Sequence, residues 1–309
     1  MSKLSLCIPA YNAAWCLPRL LISAQRQVIP FDEILIYDDC STDNTFEVGE
    51  AYGATVIRGS VRSWNPIGKN KLAAIAKSDW LFFIDADDEL LPNFSDNARK
   101  WLEDQSKADI VLLPYRHVDN LSGKYLGDVF YNRELLQDDP VKYIISTKIV
   151  NFELIRKQPF IDMGGFDTDT DILFIEDRAF AFKGAVNGLV FDTEEGLMCN
   201  KYYTSTSMSS ANIARCWEAG YHLWNKVYKQ VGDKYATEIV YQLHENAVWA
   251  AKAETWDVVG NSLRLAKEIM PNQKPAGSFM FLLVYKFFPV TSFVLRAKVL
   301  KLLGRNKIK

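Results

Sequence analysis

Short apolar runs alternate with amphipathic stretches through the first third of the chain. The runs predict buried strands, and the apolar positions spaced three and four apart between them predict helices. Five strands are expected, at residues 4–9, 33–37, 54–57, 80–84 and 109–113. Strands that alternate with helices are typical of right-handed βαβ units and a parallel sheet. The predicted fold class is therefore α/β, with a Rossmann-like nucleotide-binding half.

The pattern changes twice after this half. Residues 115–210 give weaker signals, among them a loop at 160–167, a helix from 174 to about 185, a short strand at 189–191 and a polar loop at 202–210. From residue 213 onward the apolar spacing is helical. Three further helices are expected, at residues 213–230, 235–253 and 256–270.

The predicted domain organisation follows from these changes. We expect one domain at residues 1–210, made of a nucleotide-sugar half at 1–114 and an acceptor half at 115–210, followed by a helical region at 211–309. The chain has 309 residues, of which 49% are hydrophobic, and this content suffices for a full core.

Charge and cysteine content exclude several classes of protein. A net charge of −2 argues against a nucleic-acid-binding protein, which usually carries a basic excess. The five cysteines form no CxxC pair, which favours reduced core residues without a disulfide framework or a zinc site. The chain passes from Met1 directly into a strand, so no signal peptide is expected. No uncharged apolar run reaches the roughly 18 residues of a membrane-spanning helix, and we expect a cytoplasmic protein.

The last stretch of the sequence, residues 278–309, mixes aromatic and aliphatic residues with lysine and arginine, and no acid follows Glu268. A basic amphipathic tail of this kind is typical of a peripheral anchor on an anionic membrane surface, here the inner face of the cell membrane. A helix that docks on the core with a solvated basic end has the same pattern. Both interpretations stay open at the level of sequence.

An acidic cluster follows the apolar run at 80–84. Asp85 and Asp87 are two residues apart, so in an extended chain both point to the same side, and Asp88 comes next. Carboxylates that converge in this way repel one another unless a cation joins them. The cluster predicts a hard-metal site, with a simple turn that opens the next helix as the alternative.

The phosphate-binding loops of other nucleotide folds are missing. The turn after the first strand lacks GxGxxG, and no GxxxxGK[ST] occurs. A diphosphate would therefore be held by metal and by cationic side chains, with Asp85 and Asp87 for the first and Lys69 for the second. A second acidic pair, Glu176 and Asp177, begins a helix, where the dipole favours acids whether or not they are catalytic.

These residues together resemble the family 2 glycosyltransferases, which have the GT-A fold. Four motifs occur in the family's order, and they cover roughly residues 4–209. They are Leu6-Cys7-Ile8-Pro9-Ala10-Tyr11-Asn12, Asp38-Asp39-Cys40-Ser41-Thr42-Asp43-Asn44-Thr45, the DxD segment Asp85-Ala86-Asp87-Asp88, and Gly164-Gly165-Phe166-Asp167 followed by Glu176-Asp177. The resemblance implies a GT-A Rossmann-like domain with a mostly parallel sheet and a C-terminal helical extension.

The resemblance also implies a role for each matched position on the donor side. Pro9, Ala10 and Tyr11 would line the base pocket, and Asp39 would accept a hydrogen bond from the base. A carboxylate in this position matches the imide N–H of uracil, so a UDP-sugar is the expected donor. Thymine offers the same imide N–H. Lys69 would contact the diphosphate. Asp85 would face the ribose and the metal, and Ala86 would be a further nucleotide-sugar-binding residue. The metal ligands for Mg²⁺ or Mn²⁺ would be Asp85, Asp87 and Asp88.

On the acceptor side the resemblance implies that Asp177 is the general base and that Glu176 shares its pocket. The expected activity is inverting, metal-dependent transfer of one sugar from a nucleotide-sugar to a hydroxyl of a glycan or lipid-linked acceptor. A non-catalytic nucleotide-sugar-binding or assembly partner is the alternative, and a nucleotidyltransferase is disfavoured because the turn after the first strand is not rich in glycine and arginine. Cys40 replaces the family's usual glycine, and residues 200–203 lack a metal-binding histidine found in some members.

Overall fold

The computed structural model describes residues 2–103, 107–150, 152–204 and 208–303. The chain forms two compact units. The first comprises Met1–Ile144, Lys148–Thr168 and Glu176–Ser205, and the second Ile145–Thr147, Asp169–Ile175 and Thr206–Lys309. The division into domains at residue 210 stays a prediction.

The first unit contains all eleven described strands. In chain order they are β1 Leu4–Ala10, β2 Glu33–Asp38, β3 Thr55–Arg58, β4 Trp80–Phe83, β5 Glu89–Leu90, β6 Ile110–Leu112, β7 Tyr115–Asp119, β8 Tyr125–Val129, β9 Glu153–Arg156, β10 Phe191–Thr193 and β11 Cys199–Tyr203.

The described helices are distributed over both units. They are α1 Leu17–Gln25, α2 Thr45–Ala51, α3 Trp64–Ile75, α4 Phe94–Glu103, α5 Arg133–Asp138, α6 Pro140–Ser146, α7 Lys157–Asp162, α8 Glu176–Val186, α9 Met208–Ala211, α10 Ile213–Val231, α11 Ala236–Lys252, α12 Trp256–Ile269, α13 Phe279–Phe287 and α14 Pro289–Leu302, with 3₁₀ turns at Thr170–Ile175 and Gly232–Tyr235.

Seven strands form the main sheet, in the order β10-β6-β9-β4-β1-β2-β3. Strands β4, β1, β2 and β3 are parallel to one another, and β9 runs antiparallel to both of its neighbours, β4 and β6. The predicted α/β class with a mostly parallel sheet is confirmed. A second sheet, in the order β5-β11-β7-β8, was not predicted.

Strand β1 continues past Pro9, which the sequence analysis took as its end. Ala10 accepts a hydrogen bond from Asp39 on the β2 side, and Cys7 accepts one from Ile84 on the β4 side, so alternate residues face alternate neighbours. Pro9 therefore faces the β4 side, beyond the last paired residue of β4. Its missing N–H costs no ladder bond there, so a proline is tolerated inside a central strand.

Some predicted boundaries differ from the structure. Helix α7 covers the first part of the expected loop at 160–167, and the expected strand at 189–191 is found two residues later, as β10. The expected polar loop at 202–210 begins inside β11 and ends inside α9, while residues 205–207 lie outside the described part of the chain. The sequence also predicts a helix at residues 93–104, whose last residue lies outside the described part of the chain.

A cluster of buried aromatic rings fixes the loop before α8. Phe166 stacks on Phe180 with 4.3 Å between ring centres, and both rings contact Phe160 of α7. Phe83, the last residue of β4, packs edge-on against Phe166 at 5.4 Å. The cluster joins the carboxyl end of β4 to the start of α8.

The second unit is helical, as predicted. Helices α10, α11 and α12 lie within two residues of their expected bounds, and α14 packs with α11 and α12 around Leu263 and Phe293. Within the described residues, no helix combines the length and the apolar character that a bilayer span requires.

Candidate active site

The carboxylates of Asp85, Asp87 and Asp88, here called the aspartate group, converge just after β4. One oxygen of each lies within 4.8 Å of the other two. The chain turns at this point, since the N–H of Asp88 donates to the carbonyl of Asp85 at 3.1 Å. A turn therefore brings these carboxylates together, and the alternation of an extended strand does not. Carboxylate oxygens at this spacing suit a hard divalent cation such as Mg²⁺ or Mn²⁺.

Lys201 of β11 places an ammonium group beside the aspartate group. Its Nζ lies 3.7 Å from Asp85 and 3.5 Å from Asp88. Burial raises the pKa of Asp88 to about 8; Lys201 opposes this rise, and the charges of Asp87 and Asp85 add to it. One ammonium thus leaves the charge of three carboxylates incompletely balanced. The donor set fits a divalent metal, which would supply the remaining positive charge.

Arg19 of α1 supports the same turn. Its guanidinium donates to the carbonyl of Asp87 and, at 2.7 Å, to Oδ1 of Asn120, and it lies 3.6 Å from the ring centre of Tyr202. Arg19 and Lys201 were both missed by sequence analysis. The apolar spacing of α1 gives no signal for Arg19, and Lys201 lies in a strand that the sequence did not predict.

Glu176 and Asp177 begin α8, and Lys69 of α3 joins them. The Nζ of Lys69 donates to Glu176 at 3.1 Å and to Asp177 at 2.8 Å. The side chain of Lys69 is fully buried, that of Glu176 is 6% exposed and that of Asp177 is 23% exposed. Asp177 is thus the member of the pair that a substrate reaches most readily.

The charges of this cluster are strongly coupled. Burial alone would lower the pKa of Lys69, but Asp177, Glu176 and Asp85 together outweigh burial and raise it. Burial raises the pKa of Glu176 to about 7, Asp177 adds to the rise and Lys69 opposes it. The ammonium of Lys69 is therefore permanently charged and keeps the two carboxyl groups in place.

The position of Lys69 does not favour its predicted contact with a diphosphate. The ammonium is enclosed and bonded to two carboxylates, and it lies 4.8 Å from the ring centre of Phe166. Sequence shows a lysine next to Asn70, where the family usually has an arginine, but it does not show a partner more than 100 positions away. The diphosphate role stays a prediction.

A further buried acid, Glu153 of β9, was not singled out by sequence. It is 2% exposed, and its Oε1 has no hydrogen-bond partner among the described residues. Burial raises its pKa well above the usual range, and the charge of Asp177 raises it further. Glu153 is therefore a buried acid that burial and the charge of Asp177 both shift toward its neutral form.

Asp39, predicted to bond the nucleotide base, caps α3. Its Oδ1 accepts from the N–H and the hydroxyl of Ser63 at 2.6 and 2.7 Å, and its Oδ2 accepts from the N–H of Trp64 at 2.7 Å. These bonds satisfy N–H groups that the start of a helix leaves unpaired. Each carboxylate oxygen keeps a second lone pair for a ligand, so the predicted base contact stays compatible with the cap.

Pro9 and Ala10 end β1 in buried positions, and Tyr11 follows with 38% of its surface exposed. The guanidinium of Arg62 lies 3.9 Å from the ring centre of Tyr11 and 4.2 Å from that of Trp64. Sequence analysis did not identify Arg62. A base that contacts Tyr11, as predicted, meets this arginine and either shares the ring face with it or displaces it.

The Gly164–Gly165 loop is bonded to both α3 and α8. Asn70 accepts from the N–H of Phe166 at 2.8 Å and donates to its carbonyl at 2.9 Å, while Lys183 donates to the carbonyl of Gly165 at 2.9 Å. Gly165 has a φ of 59°, and a Cβ on it would lie 2.3 Å from Oδ1 of Asn70. This position requires glycine, because any side chain would break the bond pair between α3 and the loop.

The aspartate group and the Glu176–Asp177 pair belong to one charged site. Asp85 contributes to the raised pKa of Lys69. Burial lowers the pKa of Lys201, but Asp88, Asp85, Asp87 and also Asp177 outweigh it and raise that pKa. Ala86 is buried in the turn that carries the aspartate group. The structure thus brings together a candidate metal site and a carboxylate suited to proton transfer.

The chain is similar to known glycosyltransferase sequences. Residues 5–164, more than half of the chain, match the family described as Glycosyl transferase family 2. An uncharacterized glycosyltransferase of Haemophilus influenzae is 27% identical over 184 residues, which cover 58% of this chain and 61% of that protein. Poly(ribitol-phosphate) beta-N-acetylglucosaminyltransferase TarS of Staphylococcus aureus is 26% identical over 235 residues, which cover 69% of this chain and 38% of TarS. The chain therefore spans less than two thirds of the length of either relative.

Solved structures agree on the fold. TarS of S. aureus in complex with UDP has a TM-score of 0.68 at 16% identity and covers 98% of this chain and 92% of its own. Mannosyltransferase PcManGT from Pyrobaculum calidifontis, in complex with GDP-Man and Mn²⁺, has a TM-score of 0.61 at 16% identity and covers 98% and 88%. These likenesses confirm the predicted GT-A fold. With the family match over residues 5–164, the fold establishes that the chain belongs to glycosyl transferase family 2.

Proposed function

We propose that this chain transfers one sugar from a nucleotide-sugar to a hydroxyl group of an acceptor. The observation that carries the proposal is the pairing of two features in one charged site. The aspartate group offers oxygen ligands within 4.8 Å of one another, and Asp177 offers a partly exposed carboxylate held by Lys69 at 2.8 Å. The first suits a diphosphate with its metal, and the second suits a hydroxyl that must lose a proton.

A UDP-sugar is the proposed donor. TarS, a family relative, has been solved in complex with UDP and with UDP-GlcNAc, which supports this class of donor. A relative of the same fold binds GDP-Man, so the base is not a property of the fold. In this chain Asp39 is a hydrogen-bond acceptor beside Tyr11. Such an acceptor favours a base that carries an imide N–H.

Asp177 is the proposed general base. It accepts the proton of the acceptor hydroxyl as that oxygen attacks the anomeric carbon of the donor sugar. Lys69 fixes the orientation of Asp177 and balances its charge, and the neutral or charged state of Glu176 tunes that balance. A single base and attack opposite to the leaving diphosphate give inversion at the anomeric carbon.

Asp85, Asp87 and Asp88 are the residues that would hold Mg²⁺ or Mn²⁺. When bound, such a metal supplies Lewis-acid stabilisation of the charge on the leaving diphosphate. Lys201 lies against the same carboxylates and contributes a fixed positive charge of its own. Arg19 stabilises the turn that carries Asp87, because its guanidinium donates a hydrogen bond to the Asp87 carbonyl.

The proposed acceptor is a glycan or a lipid-linked precursor, used at the cytoplasmic face of a membrane. Support for this part comes from the basic and apolar C-terminal sequence, in which no acid follows Glu268. The sugar and the linkage are left to a screen of donors and acceptors.

Thermal unfolding of the full chain with UDP, GDP, TDP and CDP, each with Mn²⁺ or with EDTA, tests the donor and the metal together. A nucleotide at a hundred times its Kd adds about 2.7 kcal/mol to the free energy of unfolding, which is visible as a shift in Tm. We expect UDP to raise the Tm most and to require Mn²⁺ for the full effect. Absence of any nucleotide effect would instead favour a non-catalytic partner protein.

Transfer assays with Asp177→Asn separate catalysis from binding. Loss of the base is expected to lower kcat by a factor of about 10²–10⁴ while the Tm shift with UDP and Mn²⁺ stays as in the wild type. Asp138→Asn, the same replacement at an exposed position at the end of α5, serves as the control. Undiminished transfer by Asp177→Asn would remove Asp177 from the mechanism.

A further inference from the structure

The helical hairpin at the end of the second unit has two dissimilar members. Helix α14 packs into the core of its unit through Ser292, Phe293 and Ala297, which are all buried. All nine residues of α13 are described, and none of them is buried. The structure therefore divides the C-terminal sequence into a docked helix and a helix left at the surface.

Helix α13 is apolar on its outward side as well as its inward side. Phe281 and Tyr285, one turn apart, pack against the core around Phe293. On the opposite side lie Phe279, Met280, Leu283 and Phe287, which are 78%, 67%, 46% and 64% exposed. Large apolar side chains contiguous along one helix row usually mark an interaction surface.

A basic residue lies beside this outward row. Lys286 lies beside Leu283 and Phe287 on the helix surface and is exposed. The outward side of α14 adds Leu295 and Leu302, together with the exposed Lys298. The sequence after Glu268 contains only basic charges, although Arg305, Lys307 and Lys309 lie outside the described residues.

We infer that α13 docks on the interface of an anionic lipid bilayer and lies in its plane. The outward row Phe279, Met280, Leu283 and Phe287 enters the acyl boundary, and the flanking lysines meet the anionic headgroups. A nine-residue apolar helix with a basic border has the dimensions and the charge that such an interface accommodates.

A second copy of this chain is a less suitable occupant of the surface. A two-fold contact through α13 would bring the basic border of one copy against the basic border of the other, where like charges repel.

The inference does not rest on the proposed glycosyl transfer, because lipid binding is measured without a sugar donor.

Co-sedimentation of the full chain with vesicles tests the inference. The probes are phosphatidylcholine vesicles and vesicles containing phosphatidylglycerol, at low and high salt. We expect binding to the anionic vesicles, weaker binding at high salt and little binding to the neutral ones. The triple variant F279S/L283S/F287S is expected to lower the partition coefficient by about tenfold or more, since it removes the apolar surface.

Two further variants keep the result interpretable. Leu121→Ser replaces a side chain that is 97% exposed in the first unit, and binding should equal that of the wild type. Lys286→Gln with Lys298→Gln should weaken anionic binding by about fivefold per lysine and reduce its salt dependence. Because every replaced side chain is exposed, the Tm of each variant should match the wild type.

Three outcomes would overturn the inference. The first is unchanged vesicle binding by the triple variant. The second is equal binding to neutral and anionic vesicles. The third is a wild-type dimer in sedimentation velocity that the triple variant converts to a monomer, with no lipid binding by either, which would assign the surface to a second copy.

Discussion

Two acidic clusters share the charged site, and each contains one buried or half-buried lysine. In the first, Lys69 bonds directly to Glu176 and Asp177 at 3.1 and 2.8 Å. In the second, Lys201 approaches the aspartate group no closer than 3.5 Å and faces three carboxylates in place of two. The first cluster is closed by its own hydrogen bonds, and the second retains an excess of negative charge.

The difference supports separate roles for the two clusters within the proposed function. A buried ion pair with direct hydrogen bonds fixes geometry, which suits a carboxylate that must meet a hydroxyl at a defined position. A loosely neutralised group of acids suits a positively charged ligand, such as the divalent metal ion that would bind a diphosphate. Substitutions at four positions test this contrast, and the largest effect is expected at Lys69.

Removal of Lys69 is expected to cause the largest loss of stability among these variants. In Lys69→Met the two acids lose their ammonium, and breaking a buried pair in this way typically costs about 3–5 kcal/mol of unfolding free energy. Urea unfolding measures the loss. Lys71→Met is the matched control, since Lys71 is exposed on the same helix and bonds to Tyr37. Partial recovery in Lys69→Met with Glu176→Gln is expected, and equal losses for Lys69→Met and Lys71→Met would contradict the assignment.

Glu176 should make stability depend on pH. Its pKa is about 7 in the folded chain and about 4.5 when unfolded, so the folded state binds the extra proton between these values. Its contribution is therefore fully present below pH 4.5 and is lost as pH rises through 7, by up to about 3 kcal/mol. Urea unfolding of wild type and Glu176→Gln at pH 5, 6, 7 and 8 measures this. Parallel curves for the two proteins would show that Glu176 does not titrate in this range.

Lys201 is expected to weaken metal binding by the aspartate group. Lys201→Met removes a positive charge that competes with the cation, so Mn²⁺ is expected to bind about tenfold more tightly. Titration of Mn²⁺ followed by electron paramagnetic resonance measures the affinity. Asp88→Asn should weaken binding instead, and Lys100→Met, an exposed lysine of α4, should leave it unchanged. Weaker binding in Lys201→Met would mean that the lysine organises the cluster and does not oppose the metal.

The smallest expected effect concerns Cys40, which has a φ of 66° where the family usually has glycine. A left-handed backbone costs an L-residue roughly 1–2 kcal/mol. Glycine relieves that cost but adds roughly 0.5–1 kcal/mol of unfolded-state entropy. Cys40→Gly should therefore stabilise the chain slightly in urea, and Cys40→Ala, which keeps the Cβ, should not. Equal midpoints for the two variants would argue against strain at this position.

Local patterns in the sequence predicted the parallel part of the sheet and the helices of the second unit. Each of these elements can be predicted from about a dozen consecutive residues, through apolar runs or helical spacing. The second sheet gave no comparable signal. Its strands are short and half-exposed, and β11 pairs with β7 across more than 80 positions, so their partners define them more than their own residues do.

The candidate site shows the same limit. The motifs identified Asp85, Asp88 and Asp177, because the acids stand at ends of predicted elements. The partners of these acids, Lys201 and Lys69, were missed or assigned another role, since burial and pairing are properties of the folded chain. The sequence supplied the charged groups, and the tertiary structure decides which of them neutralise each other.

The position of β9 affects how the protein is made. Residues 153–156 insert between β4 and β6, which precede them by some 40 to 70 positions. A nascent chain that has emerged only through residue 114 holds β6 without the strand that joins it to β4. Closing such long loops carries an entropic cost before any contact forms, so folding should be slow relative to helical proteins of this size. Until then the edges of β4 and β6 are exposed, and this interval is when aggregation or chaperone binding is most expected.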